Sequence, residues 1–261
     1  MKENKQYKAL ILAGGKSKPA LKKIIGQEYK ALMTVSALDS RPIIHHVIEM
    51  VNNTRYVSQL FVAGPKEVEQ EIKTHPLTMV PSGTTLLDTL RKSLSLLSEE
   101  SHLIIIACDL PLISSEHIEC FLKNCLDDPG FDIYYAIVSK ESFQRRFPVN
   151  ELRRIYANLV EGSFTGGNLF LLNPKVILEH IDTIKQFILF RKHPLKMANI
   201  LGQRLVVKYL KKYLSIRDLE KMVPQYLKGY TGKAVLAPPE VALDIDKPSQ
   251  LEALNRLLKT Q

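Results

Sequence analysis

Leu103-Ile104-Ile105-Ile106-Ala107-Cys108-Asp109-Leu110-Pro111 is the stretch on which the reading of the chain turns. A short unbroken apolar run of this kind is the pattern of a strand buried on both faces, and such strands belong to parallel sheets covered by helices. A carboxylate placed directly after the run stands at the strand's carboxyl end, where a charge calls for a partner. A turn or N-cap role answers that need. So does a hard divalent cation, since Mg²⁺ commonly takes one or two carboxylates together with substrate phosphates.

Outward from this strand, apolar runs alternate with helical patterns. Residues 8–13 form a short strand ending in Gly14-Gly15, and 31–35 are expected as a second extended piece. Pro42 suits a first helical turn and opens a helix over 43–51. Residues 59–63 read as a strand closed by Gly64-Pro65, with 66–73 as its helix. Met79-Val80 is a short strand before Pro81-Ser82-Gly83, and 84–97 carry leucines on one helical face. Ser114 or Ser115 caps a helix over 116–126. The alternation predicts right-handed crossovers and a mostly parallel α/β sheet with helices on both faces, with ligands bound beyond the strands' carboxyl ends. Gly14-Gly15 and Asp109 then share one rim.

The second half is less regular. Residues 132–139 read as a strand, and 155–160 are expected to pair with 168–172 around Glu161-Gly162-Ser163. Thr165-Gly166-Gly167-Asn168 interrupts the pattern with residues that permit close backbone approach. Residues 174–229 look helical and are expected as an inserted helical subdomain, with 1–173 and 230–261 forming the α/β domain. Residues 233–246 are expected to return to the sheet, which by alternation puts Asp244 and Asp246 on one side of a strand. A last helix covers 249–258.

Composition narrows the function classes. The 261 residues, 45% of them hydrophobic, can bury a core, and the formal net charge is +9. Between Thr183 and Arg217 there are nine basic residues and no acidic one. A phosphorylated substrate, nucleic acid or an anionic membrane could each use that charge; a core-packed helix with a solvated lysine face is the preferred reading of 183–217, and nucleic acid is not favoured. The apolar run at 9–13 is too short for a signal-peptide core or a membrane span, so a cytoplasmic protein is expected. Cys108, Cys120 and Cys125 lack zinc-site spacing, and Cys108 reads as a small core residue. The seven histidines are scattered and read as surface or helix residues.

Leu12-Ala13-Gly14-Gly15-Lys16-Ser17-Lys18 ends a strand in two glycines and adds a hydroxyl and two ammonium groups. Free backbone N–H groups in such a turn point at an anion, and glycine lets the chain pass close to phosphate oxygens. The run is neither GxGxxG nor a Walker A loop.

The order Leu-Ala-Gly-Gly, Lys30-Ala31-Leu32, Arg41-Pro42-Ile43-Ile44, Ala107-Cys108-Asp109-Leu110-Pro111-Leu112 and Asp244-Ile245-Asp246-Lys247-Pro248 resembles the MobA-like NTP transferase family, with segment 174–229 outside the resemblance. The resemblance implies a Rossmann-like, GT-A-type fold, an NTP and Mg²⁺. It implies a phosphate loop at Leu12, Ala13, Gly14 and Gly15, continuing through Lys16, Ser17 and Lys18, with Lys30 as the triphosphate lysine. It implies a nucleobase-side loop at Pro81, Ser82, Gly83 and Thr84, and metal aspartates at Asp109 and Asp246. Thr165, Gly166, Gly167 and Asn168 resemble the segment that lines the acceptor pocket. The family continues its glycine loop with Ser-x-Arg-x-Gly, whereas Ser17-Lys18-Pro19 stands here, so Lys16, Lys18, Lys22 and Lys23 compete with Lys30. The implied reaction transfers an NMP to a small phosphorylated acceptor and releases pyrophosphate, with GTP ahead of CTP. The alternatives are a nucleotide-binding sensor or partner protein without catalysis, which the altered loop suggests, and a membrane-peripheral protein using its basic helices.

Overall fold

Among the described residues there are eight strands, β1 (Tyr7–Leu12), β2 (Val57–Gly64), β3 (Thr78–Pro81), β4 (Leu103–Ala107), β5 (Ile133–Ser139), β6 (Ala157–Leu159), β7 (Gly162–Leu172) and β8 (Gly232–Leu236). They form one sheet in the order β3-β2-β1-β4-β7-β5-β8, with β6 added to β7. The structure is a computed structural model that describes residues 6–38, 40–190 and 202–259. Four pairs are parallel, β1–β2, β2–β3, β1–β4 and β5–β8. β7 runs antiparallel between β4 and β5.

Alternation along the central strands sends side chains into two apolar layers. Ala9, Ile11, Ile104 and Ile106 face α2 (Ile43–Asn52) and α5 (Ser115–Asp127). Leu10, Leu103 and Ile105 face α4 (Leu86–Ser95) and α7 (Pro174–Glu179). Each fully buried leucine or isoleucine contributes roughly 1.5–3 kcal/mol, and burial on both faces is what lets the fold carry a charged group at the end of β4. Thr85 and Ser114 accept N-cap hydrogen bonds at α4 and α5, as their residue types dictate.

Several expectations are corrected. Residues 31–35 are no strand: Lys30–Leu32 is a 3₁₀ turn, and only Thr34 makes a bridge, to Pro42. The basic loop after Gly15 contains α1 (Pro19–Ile25), which starts on its proline and ends on Gly26 in the left-handed conformation. The partner of β6 is the start of β7, with Asn158 opposite Ser163, and not 168–172, which pairs with β4 and β5. Thr165–Asn168 lies inside β7. Residues 241–246 are not a strand either; a 3₁₀ turn, Pro239–Ala242, leads into an irregular buried segment. Beyond β5, a helix missing from the sequence reading, α6 (Lys140–Arg146), starts on the Ser139 cap. Residues 174–229 hold helices including α7, α8 (Ile181–Phe190), Gln203–Leu210 and Ile216–Glu220. Val176 and Ile177 of α7 are buried, and α7 lies against α4.

Candidate active site

The ends of β1 and β4 lie side by side, with Leu12 opposite Ala107 and the Cys108 amide donating to Leu12 O at 3.3 Å. Gly14-Gly15 and Asp109 therefore do share one rim. Asp109 is only 8% exposed. The chain returns to this rim at Lys30, whose backbone amide donates to Gly15 O at 2.9 Å. Its Nζ donates to Asp109 Oδ2 at 2.8 Å and also to Asp246 Oδ1. Lys18 Nζ reaches the other oxygen of Asp246 at 2.6 Å. Asp244 pairs with Arg154. Oxygens of Asp109, Asp244 and Asp246 all lie within 4.8 Å of one another.

Three carboxylates thus meet three cations, Lys18, Lys30 and Arg154. Their protonation is set by burial against these charges. Burial pushes Asp109 up, Lys30 opposes it, the Asp244 charge adds to the rise, and the net direction is upward. Burial also works to raise Asp246, but hydrogen bonds from Lys18 and Lys30 and their charges win and hold it far below the usual carboxylate range. Burial alone would lower Lys30; the charge and hydrogen bond of Asp109, then those of Asp246, raise it above the ordinary lysine range. Lys30 is therefore a fixed positive charge.

A donor set of three carboxylates, with no soft ligand, fits a hard divalent cation such as Mg²⁺. Asp109 and Asp246 would hold it, with Asp244 already neutralised by Arg154.

The glycine loop is divided in its hydrogen bonding. The Ala13 amide donates to Ala63 O at 2.7 Å and the Ser17 amide to Glu28 O at 2.8 Å. Gly14, Gly15 and Lys16 have no backbone acceptor for their amides among the described residues. Three successive free N–H groups beside Lys30 make an anion nest. Lys16 and Lys22 pair with Glu28, so of the competing lysines only Lys18 and Lys30 reach the aspartates.

The Pro81–Thr84 loop comes to the same end of the sheet. The Ser82 amide donates to Gly64 O at 3.0 Å, and a Cβ on Gly14 would lie 3.4 Å from Ser82 Cβ. Gly83 N donates to Thr89 Oγ1 at 2.9 Å and Thr84 N to Asp88 Oδ2 at 3.1 Å, wrapping the loop onto the start of α4.

Thr165, Gly166, Gly167 and Asn168 also have a job in the fold. β5 advances two residues from Tyr135 to Ile137 while β7 passes four, from Phe170 to Gly166, so β7 bulges here. A Cβ on Gly166 would lie 1.8 Å from Tyr135 Oη, and one on Gly167 would lie 2.9 Å from Val241 Cγ1. Asn168 Nδ2 reaches Val241 O at 3.4 Å. Thr165 is buried. The bulge thus docks the segment that carries Asp244 and Asp246.

The sequence reading missed the residues that hold that segment. Glu240 is buried and pairs with Arg146 Nε at 2.7 Å and His117 Nε2 at 3.4 Å. Gln250 Oε1 accepts from the Asp246 and Lys247 amides at 2.8 and 3.0 Å. Each of the arginine pairs 145–146 and 153–154 splits: Arg146 and Arg154 hold the segment, while Arg145 meets Glu141 and Arg153 lines a cavity of about 250 Å³ with Phe143, Phe147 and Tyr156.

A family model described as the MobA-like NTP transferase domain matches residues 9–229. The match runs through 174–229, which the sequence reading had left outside the resemblance, and stops before Asp244 and Asp246. No curated protein matches the sequence. Among solved structures, a hypothetical transferase from Thermus thermophilus is 29% identical, covers 94% of this chain and 99% of its own, and superposes with a TM-score of 0.80. CMP:2-keto-3-deoxy-manno-octonic acid synthetase complexed with CTP is 15% identical over 98% of this chain and 99% of its own, with a TM-score of 0.57. The 4-diphosphocytidyl-2C-methyl-D-erythritol synthase of Anaerococcus prevotii DSM 20548 is 12% identical over 98% and 97%, with a TM-score of 0.58. These last two share the fold, and the chain itself belongs to the MobA-like NTP transferase family, a family of nucleotidyl-transferring enzymes.

Proposed function

We propose that the protein transfers an NMP from an NTP to a small phosphorylated acceptor in a Mg²⁺-dependent reaction that releases pyrophosphate. The observation that carries this reading is Lys30, fixed between Asp109 and Asp246 beside the three free amides of the glycine loop. The amides of Gly14, Gly15 and Lys16 receive the triphosphate, and Lys18 and Lys30 exchange their aspartates for its oxygens. Asp109 and Asp246, released from the lysines, would hold the metal ion, which would supply charge neutralisation at the phosphates. An acceptor phosphate oxygen attacks the α-phosphorus in line, and the bond to pyrophosphate breaks. That oxygen is already ionised at neutral pH, so no general base is required.

Ser82 and Thr84 lie on the nucleobase side and Thr165–Asn168 on the acceptor side. GTP is the first candidate donor, as the family resemblance implies. CTP is the second, supported by two neighbours of the same fold, a CMP-sugar-acid synthetase complexed with CTP and a diphosphocytidyl synthase. Residues 174–229 are proposed as a helical insertion into the domain formed by 1–173 and 230–261. The test is a thermal-shift panel of ATP, GTP, CTP and UTP with and without Mg²⁺, followed by pyrophosphate release. Stabilisation by one NTP that depends on Mg²⁺ is expected; no shift with any of the four refutes the site, and binding without pyrophosphate release under a panel of sugar and alcohol phosphates returns the sensor reading.

A further inference from the structure

The apolar residues of the basic helical stretch do not all enter the core. Leu210 is 74% exposed, Tyr213 69% and Val207 48%. Tyr209-Leu210-Lys211-Lys212-Tyr213 is exposed without a break, at the end of the helix Gln203–Leu210. This turn has fixed geometry. Lys212 adopts φ of 60°, the Tyr213 amide donates to Lys208 O at 2.8 Å, and the Lys211 amide donates to Val207 O at 3.0 Å, closing the helix on a left-handed residue. The buried Leu214 accepts from the Val160 amide at 2.9 Å, which ties the turn to the β6–β7 hairpin and sets Val160, 59% exposed, beside it.

A core-packed helix with a solvated lysine face requires its apolar side chains inside, and at 207–213 they face out. Lys208 is neutralised by Asp218 at 2.6 Å, whereas Lys211 and Lys212 have no acidic partner among the described residues. Tyrosine, leucine and lysine together suit a lipid–water boundary, where the rings sit at headgroup level and lysine stems snorkel to the phosphates. Residues 191–201 of the basic stretch lie outside the described residues.

We propose that the 207–213 turn docks the protein onto an anionic lipid surface. Charge selects this occupant: a second copy brings the same +9 and the same lysines, while an anionic bilayer is complementary. The contact is peripheral, because no helix among the described residues is long and apolar enough to cross a membrane.

The experiment is co-sedimentation with vesicles of phosphatidylcholine alone and of equal parts phosphatidylcholine and phosphatidylglycerol. Binding to the anionic vesicles only, weakening as salt rises, is expected. Lys211→Glu with Lys212→Glu should reduce it about tenfold or more, and Leu210→Ser with Tyr213→Ser should reduce it with no change in melting temperature. Equal binding to both vesicles, or binding indifferent to the lysine reversal, overturns the proposal. So does a concentration-dependent dimer dispersed by Leu210→Ser, which assigns the turn to a second copy. NTP-induced thermal shifts serve as the control that these variants leave the nucleotide site intact.

Discussion

Asp109 and Asp246 face the same lysine, yet the end of β4 and the 239–246 segment hold them in opposite ways. Asp109 is placed by the sheet itself, two residues beyond a strand whose neighbours on both sides fix its position, and burial raises its pKa. Asp246 is placed by side chains, through Gln250 beneath it, Glu240 and Asn168 upstream and two lysines in front, and its pKa is depressed. The first carboxylate costs the fold stability where it is charged; the second adds stability. A site can therefore be rigid on one side through backbone and on the other only as long as its ion pairs last.

The largest effect is expected where both functions coincide. Asp109→Asn should lower pyrophosphate release about 100-fold or more while leaving the metal-free melting temperature equal or higher. Asp246→Asn should also abolish activity or raise the Mg²⁺ requirement, but it should melt lower; the same change in melting temperature for both would erase the contrast. Lys30→Ala comes next, with NTP affinity measured by calorimetry falling about tenfold or more, the value of a lost charged hydrogen bond. Unchanged affinity would move the triphosphate contact to Lys18.

Gly167→Ala tests the side-chain-held half alone. Val241 and Ala136 must give way, costing about 1–3 kcal/mol, so thermal melts should fall and Mg²⁺ affinity should weaken with them. A drop in stability with intact metal affinity would show that the bulge supports the sheet but not the aspartates. Asp244→Asn should do less to turnover than Asp246→Asn, since Arg154 already neutralises Asp244; the reverse order would exchange their roles.

The smallest effect is in acid. A depressed folded pKa gives stability that is present above the unfolded value and is lost as pH falls through the folded one, so the Asp246 contribution should fade below about pH 4. The raised Asp109 has the opposite sign, its cost growing as pH climbs above about 4. Melting curves of the two asparagine variants against pH should diverge from the wild type in opposite directions.

How much of this was legible follows the same division. Strands β1 to β5, the cap at α5 and the shared rim of Gly14-Gly15 and Asp109 rest on local signals: apolar runs, a hydroxyl cap and glycines at strand ends; Lys30 came from the family resemblance alone. The first error at the site was Val241-Ala242-Leu243-Asp244-Ile245-Asp246, whose alternation imitates a strand. Its residues are buried by α6, β7 and the terminal helix Pro248–Lys259, and burial without pairing leaves the same apolar pattern as a sheet. Gly166-Gly167 was read as a place of close approach, but what approaches it, Tyr135 and Val241, lies far off in sequence.

The sequence by itself determined an α/β sheet with an anion-receptive glycine turn and one carboxylate, Asp109, at a strand end, because strand burial and turn chemistry depend on neighbours a few residues apart. Only the tertiary structure decided that Lys18 and Lys30 are the lysines that meet the aspartates, that Arg154 neutralises Asp244, that Arg146 anchors the segment through Glu240, and that Leu210 and Tyr213 face outward. The physical reason is range. An ion pair or an exposed side chain is settled by which distant segments come to lie beside it, and composition leaves every such pairing equally open.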